Sequence, residues 1–105
     1  MARFDVYANN SKSKVNTPYL VDVQSDLLEG LTSRVVIPLI RADSFPQGEL
    51  PADFTPSFEI GGTQCIMHPA FIVSVPLSEL GPKTGSLREH RDRMTAALDR
   101  LLGDY

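Results

Sequence analysis

Apolar and polar positions alternate over Tyr19 to Gln24, where Tyr19, Val21 and Val23 interleave with Leu20, Asp22 and Gln24. That period of two predicts a half-buried strand. The pattern breaks at the turn formers Ser25 and Asp26, and Leu27 and Leu28 follow as an apolar pair. An apolar pair on a turn is either tucked under the core or offered to a partner. Arg34 to Leu39 predicts the next strand, ending at a proline. Phe4 to Tyr7 predicts a first strand, and Asn9 to Pro18, rich in Ser, Asn, Lys and Thr, a mobile hairpin loop. Phe58 to Ile60 and Thr63 to Met67 flank Gly61-Gly62, a pair suited to a two-residue hairpin turn. Phe71 to Val75 reads as the last strand. Between Asp43 and Ser57, Pro46, Pro51 and Pro56 prevent a continuous ladder, so this stretch predicts a long surface loop.

The period changes near the C-terminus. Leu87, Met94, Ala97, Leu98, Leu101 and Leu102 recur at helical spacing and predict an amphipathic helix over residues 86–102. Ser86 and Glu89 have the spacing of a capping box, in which each side chain satisfies a backbone donor at the helix start. Gly103 is a natural stop, because glycine enters the left-handed region at little cost. Several short strands before one helix predict a β-rich α+β fold, with the helix packed on or beside an antiparallel sheet.

Length and charge narrow the reading. A chain of 105 residues, 42% of them hydrophobic, is sized for a single small globular domain spanning 1–105. No apolar run is long enough for a membrane span, and Met1 to Tyr7 carries Arg3 and Asp5 in place of a leader's apolar core. The one cysteine, Cys65, cannot form an internal disulfide, which fits a reducing cytoplasm. Its alternating context reads as a small buried hydrophobe ahead of a reactive thiol. The formal net charge of −3 argues against direct nucleic-acid binding. Arg88, Arg91 and Arg93 interleave with Glu89 and Asp92, which predicts a solvated helix face with internal ion pairs.

Signals for catalysis are sparse. His68 and His90 are distant in sequence, and neither has a second ligand at metal spacing. Serine-nucleophile and phosphate-cradling glycine motifs are missing, so no cofactor is expected. Asp22 and Asp26 straddle a strand–turn junction. They predict a surface or interface contact and a turn cap respectively, with no paired-carboxylate chemistry.

Three strings, Val21-Asp22-Val23-Gln24-Ser25-Asp26, Arg34-x-Val36-Ile37-Pro38-Leu39 and Ser74-Val75-Pro76, resemble the CcdB family in this order. The likeness runs from the Phe4-Asp5-Val6-Tyr7 strand to the C-terminal helix. It implies a small SH3-like barrel, a homodimer, and a non-enzymatic toxin of a toxin–antitoxin module that binds the A subunit of DNA gyrase and traps the cleaved-DNA complex. It also implies a cognate CcdA-type antitoxin with a disordered tail that folds on binding, and operator DNA contacted only through that antitoxin.

The resemblance carries gyrase contacts onto two places. One is the apolar pair Leu27 and Leu28. The other is the helix end, where Asp99 falls on a family polar contact and Leu102 on a family aromatic. Gly103, Asp104 and Tyr105 fall on the ending that reads Trp-Gly-Ile in well-known members. This chain contains no Trp, so Tyr105 is the residue placed to supply an aromatic there. Three functions follow: a gyrase poison, an antitoxin-binding co-repressor with lost or weakened toxicity, and a ribonuclease of the MazF/Kid type that shares the barrel.

Overall fold

The computed structural model describes residues 2–28, 30–45 and 50–103. Among these residues seven strands form one antiparallel sheet: β1 (Asp5–Asn9), β2 (Tyr19–Asp22), β3 (Ser33–Arg41), β4 (Ser57–Ile60), β5 (Thr63–Met67), β6 (Val73–Pro76) and β7 (Leu80–Ser86). One α-helix among the described residues, α1 (Arg91–Leu102), follows the last strand. The sheet curls into a half-barrel with order β4-β5-β3-β2-β1-β7, and β6 also pairs with β3. This is the β-rich fold with a C-terminal helix that the pattern predicts, and the small barrel that the family resemblance implies.

β3 is the organising strand. Its nine residues pair with β2 along one edge, while the other edge takes β6 at the Ser33 end and β5 at the Arg41 end. Val21, Ile37, Leu39, Cys65 and Met67 pack inside the curl, and Met94, Ala97 and Leu98 of α1 seal it. Leu20, Val36 and Val75 form a smaller apolar cluster on the opposite face of the sheet. β2 is therefore buried on both faces, where alternation predicts burial on one, because β6 and β7 cover the second side. The Gly61–Gly62 turn has positive φ at both residues, 56° and 83°, as a tight hairpin between β4 and β5 requires.

β7 escapes the sequence pattern because Gly81, Pro82 and Gly85 break it. It is tolerated as an edge strand paired to β1 with register shifts, where a missing N–H costs little. A Cβ added at Gly81 would lie 3.0 Å from the Ala8 carbonyl oxygen, so glycine allows this close approach. The Asn9–Pro18 loop is also more ordered than its composition suggests. Asn9 is buried and donates through Nδ2 to Ser13 Oγ at 2.9 Å and to the Thr17 carbonyl at 2.8 Å.

The helix starts later than predicted. Ser86 ends β7, and its Oγ accepts from the Arg88 amide at 3.2 Å, so no capping box with Glu89 forms. Leu87 is instead held by its amide donating to the Phe4 carbonyl, 2.8 Å away. The helix charges also differ from a face of internal ion pairs. Arg93 donates to the Ser57 carbonyl and sits over the Phe58 ring, and Arg100 pairs with Asp53. Among the described residues no ion pair joins Arg88, Arg91 or Arg93 to Glu89 or Asp92.

Candidate protein-binding site

The strand β2 delivers the chain into a short 3-10 turn, Asp26–Leu28, at one end of the sheet. Every polar residue of the preceding string has a structural task there. Asp22 is fully buried, correcting its expected surface contact, and its Oδ2 accepts from Arg34 Nε at 2.8 Å with Nη2 at 2.6 Å. Asp22 Oδ1 accepts from the Gln24 amide at 2.9 Å. Burial pushes the Asp22 carboxyl up from its ordinary value, and hydrogen bonds from Arg34 and the Gln24 backbone pull against that shift. Burial, reinforced by Asp5 and Asp22, likewise raises the neighbouring Tyr7 phenol.

Gln24 is buried as well. Its Nε2 donates to the Leu28 carbonyl at 2.8 Å, and its Oε1 accepts from the Val35 amide at 3.0 Å. Within the turn, the Leu27 amide donates to Ser25 Oγ at 3.2 Å and the Leu28 amide to the Ser25 carbonyl at 3.0 Å. Asp26 caps a neighbouring segment in place of its own turn: its Oδ1 accepts from the Arg3 amide at 2.8 Å. Arg3 Nε in turn donates to the Val23 carbonyl at 3.0 Å. The next residue, Phe4, has a left-handed φ of 74°. A bulky residue there costs about 1–3 kcal/mol and persists only where its surroundings fix it. Burial of the Phe4 ring and the backbone bonds to Asp22 and Leu87 supply that restraint.

On this rigid base stand three leucines that the core does not use. Leu27 is 94% exposed, and Leu28 and Leu31 are each 51% exposed. The sequence left the Leu27–Leu28 pair open between core and partner, and the structure places both outside the core. Sequence reasoning missed Leu31 and Gln24. Leu31 lies outside any periodic stretch, and Gln24 looks like one more polar position of an alternating strand.

The second predicted contact region is at the end of α1. Leu102 is 73% exposed, and Gly103 ends the helix in the left-handed conformation, its amide donating to the Asp99 carbonyl at 2.8 Å. Asp99 is in the last turns of the helix, and Asp104 and Tyr105 lie outside the described residues. α1 packs on the Pro69–Phe71 turn, whereas the Asp26–Leu28 turn is tied to Arg3 and Gln24.

Two remaining candidates are structural. Cys65 is buried and its thiol is pushed up by burial, away from reactivity. His68, expected in a loop, stacks on Phe71 with ring centroids 4.2 Å apart and meets Phe45 and Phe54 edge-on. Its Nδ1 is buried with no hydrogen-bond partner among the described residues, and burial lowers its pKa below the ordinary value.

A family model described as CcdB protein matches residues 3–103. The chain belongs to the CcdB family. CcdB membership assigns it to the toxins of toxin–antitoxin modules. None of the curated proteins matches the chain. Among solved structures, an endoribonuclease in complex with its cognate antitoxin, from a mycobacterial species, superposes with a TM-score of 0.77 at 14% identity, covering 100% of this chain and 97% of that one. A second mycobacterial endoribonuclease gives a TM-score of 0.68 at 15% identity, with 98% and 91% covered. At such identities the likeness is one of fold, and fold alone does not carry chemistry. The CcdB chain thus shares a barrel with ribonucleases while its sequence places it in another family.

Proposed function

We propose that this CcdB-family chain is a binding toxin that engages the A subunit of DNA gyrase and holds its cleaved-DNA complex. The supporting observation is the exposed Leu27–Leu28 pair with Leu31 on a turn braced from beneath by Gln24 and Asp22. Large aliphatic side chains on a fixed turn suit a partner's pocket, and burying one fully contributes about 2 kcal/mol. Preference for one gyrase conformation over another then traps that conformation. Asp99, Leu102, Gly103, Asp104 and Tyr105 form the second contact in this reading. The toxin acts as a homodimer and is neutralised by a CcdA-type antitoxin, through which it reaches operator DNA. The same chain with weakened toxicity would act as a co-repressor with that antitoxin.

A ribonuclease is the second reading, favoured by the fold shared with the two mycobacterial endoribonucleases. Against it, the close Asp22–Arg34 pair is sealed from solvent, and a general acid or base must reach its substrate. The groove on the outer face of the sheet has an apolar floor of residues such as Leu20, Ile40 and Val75 and a polar rim with Asn9, Thr17 and the acidic Glu79, and no lysine or arginine lines it, unlike a basic RNA channel. Expression in a sensitive bacterium separates these readings. Growth arrest relieved by substitutions in the gyrase A subunit supports the poison. Arrest with RNA cleavage by the pure protein supports the ribonuclease, and antitoxin binding without arrest supports the co-repressor.

A further inference from the structure

We propose that Gln24 is a positioning residue for partner capture, holding the Leu27–Leu28 turn in its binding conformation before the partner arrives. This rests on the reading of that pair as the gyrase-facing contact. Gln24 occupies an interior position, yet its amide group serves the surface. Nε2 donates to the Leu28 carbonyl at 2.8 Å, Oε1 accepts from the Val35 amide at 3.0 Å, and the Gln24 backbone amide donates to Asp22 Oδ1 at 2.9 Å. One side chain thus ties the exposed turn to the first residues of β3, and the buried Asp22–Arg34 pair fixes the root of that side chain. Both ends of the amide are needed. A carboxylate at position 24 keeps the acceptor for Val35 but loses the donor to Leu28, and an asparagine is one methylene too short to span both.

The consequence is kinetic as well as energetic. A turn already ordered spares the partner the entropy of ordering it, which is the general advantage of preorganisation. Loss of the Gln24 bridge therefore weakens binding without removing any atom of the contact surface. Gln24→Met is the informative substitution, because methionine fills similar volume and offers neither the donor nor the acceptor.

The test compares the full chain, Gln24→Met, Leu27→Ala with Leu28→Ala, and all three substitutions together. Binding to the purified A subunit of bacterial gyrase is followed at a temperature well below each melting transition. The proposal predicts about a tenfold loss of affinity for Gln24→Met, with slower association, since an unbraced turn must be ordered on binding. In the leucine-less background the same substitution should add less than about twofold, because coupled residues are not additive. If Gln24→Met binds like the parent, or its loss persists in full without the leucines, the positioning role is overturned and the gyrase contact stands. If the double leucine variant binds like the parent, the contact reading itself fails. Should Gln24→Met not fold, the parent protein decides: slow hydrogen exchange of the Gln24 side-chain amide supports the bridge, and exchange at the rate of a free amide overturns it.

Discussion

The Val35 amide donates to Gln24 Oε1 at 3.0 Å, so a backbone group near the start of β3 is satisfied by a side chain two residues past the end of β2. A ladder bond would ordinarily fill this place. Using glutamine instead frees its Nε2 to hold the Leu28 carbonyl, and the turn between the strands is fastened at its base. Beneath it, Asp22 and Arg34 form a buried ion pair whose remaining acceptor atom also binds Gln24. The site is thus a small polar scaffold, inside the protein, that displays apolar side chains outside.

Breaking the ion pair is expected to be costly. Arg34→Met leaves the Asp22 carboxylate buried without its guanidinium, and removing one partner of such a pair costs about 3–5 kcal/mol. Urea denaturation measures the loss. A change below about 1 kcal/mol would show that Asp22 gains water or takes up a proton after substitution.

Leu27→Asp with Leu28→Asp should do the opposite, leaving stability within about 0.5 kcal/mol of the parent, because exposed positions tolerate polar replacement. Thermal melting tests this. A variant that fails to fold would place the pair in a core.

Met94 is the fully buried keystone of α1 against the sheet. Met94→Ala is expected to cost about 2–5 kcal/mol through lost transfer energy and the cavity left behind. Leu102→Ala, at the exposed end of the same helix, should cost a small fraction of that. Parallel unfolding curves of the two variants check the contrast.

How much of this was legible beforehand follows from which interactions are local. The Gly61-Gly62 hairpin and the Gly103 stop are written in neighbouring residues and appear as predicted, while of the predicted apolar face Met94, Ala97 and Leu98 are buried in the helix, Leu87 precedes it and Leu102 is exposed. β7 was hidden because its prolyl and glycyl residues signal a loop, while the edge position that permits them is set by β1. The capping-box spacing at Ser86 and Glu89 misled because Ser86 is drawn into that same ladder. Leu27 and Leu28 were recognisable as a pair whose fate was open, and their exposure is a matter of tertiary packing. The burial of Asp22 depends on Arg34, 12 positions away, and no periodicity within β2 reveals it.

His68 gives a pH signature. Burial among Phe45, Phe54 and Phe71 lowers its folded pKa below the unfolded value of 6.5. Its contribution to stability is therefore complete above that value and is lost as pH falls through the lower folded pKa. Stability of the parent should decline below about pH 6.5 more steeply than that of His68→Phe. Equal slopes for the two proteins would show that the imidazole is solvated.

Removing Gly103, Asp104 and Tyr105 should leave the sheet and most of α1 intact, because the core residues of the helix end at Leu98. The truncated chain is expected to melt near the parent and to lose growth inhibition. A truncated chain that still arrests growth would remove the helix end from the contact.

Gyrase poisoning itself is decided by incubating the purified chain with bacterial gyrase and supercoiled DNA, denaturing the protein, and scoring linear DNA. Linear DNA is expected with the parent, and a sharp reduction with Leu27→Asp and Leu28→Asp. A folded parent that yields no linear DNA, or a double variant that yields as much as the parent, would contradict the assignment of this turn as the gyrase contact of a working poison.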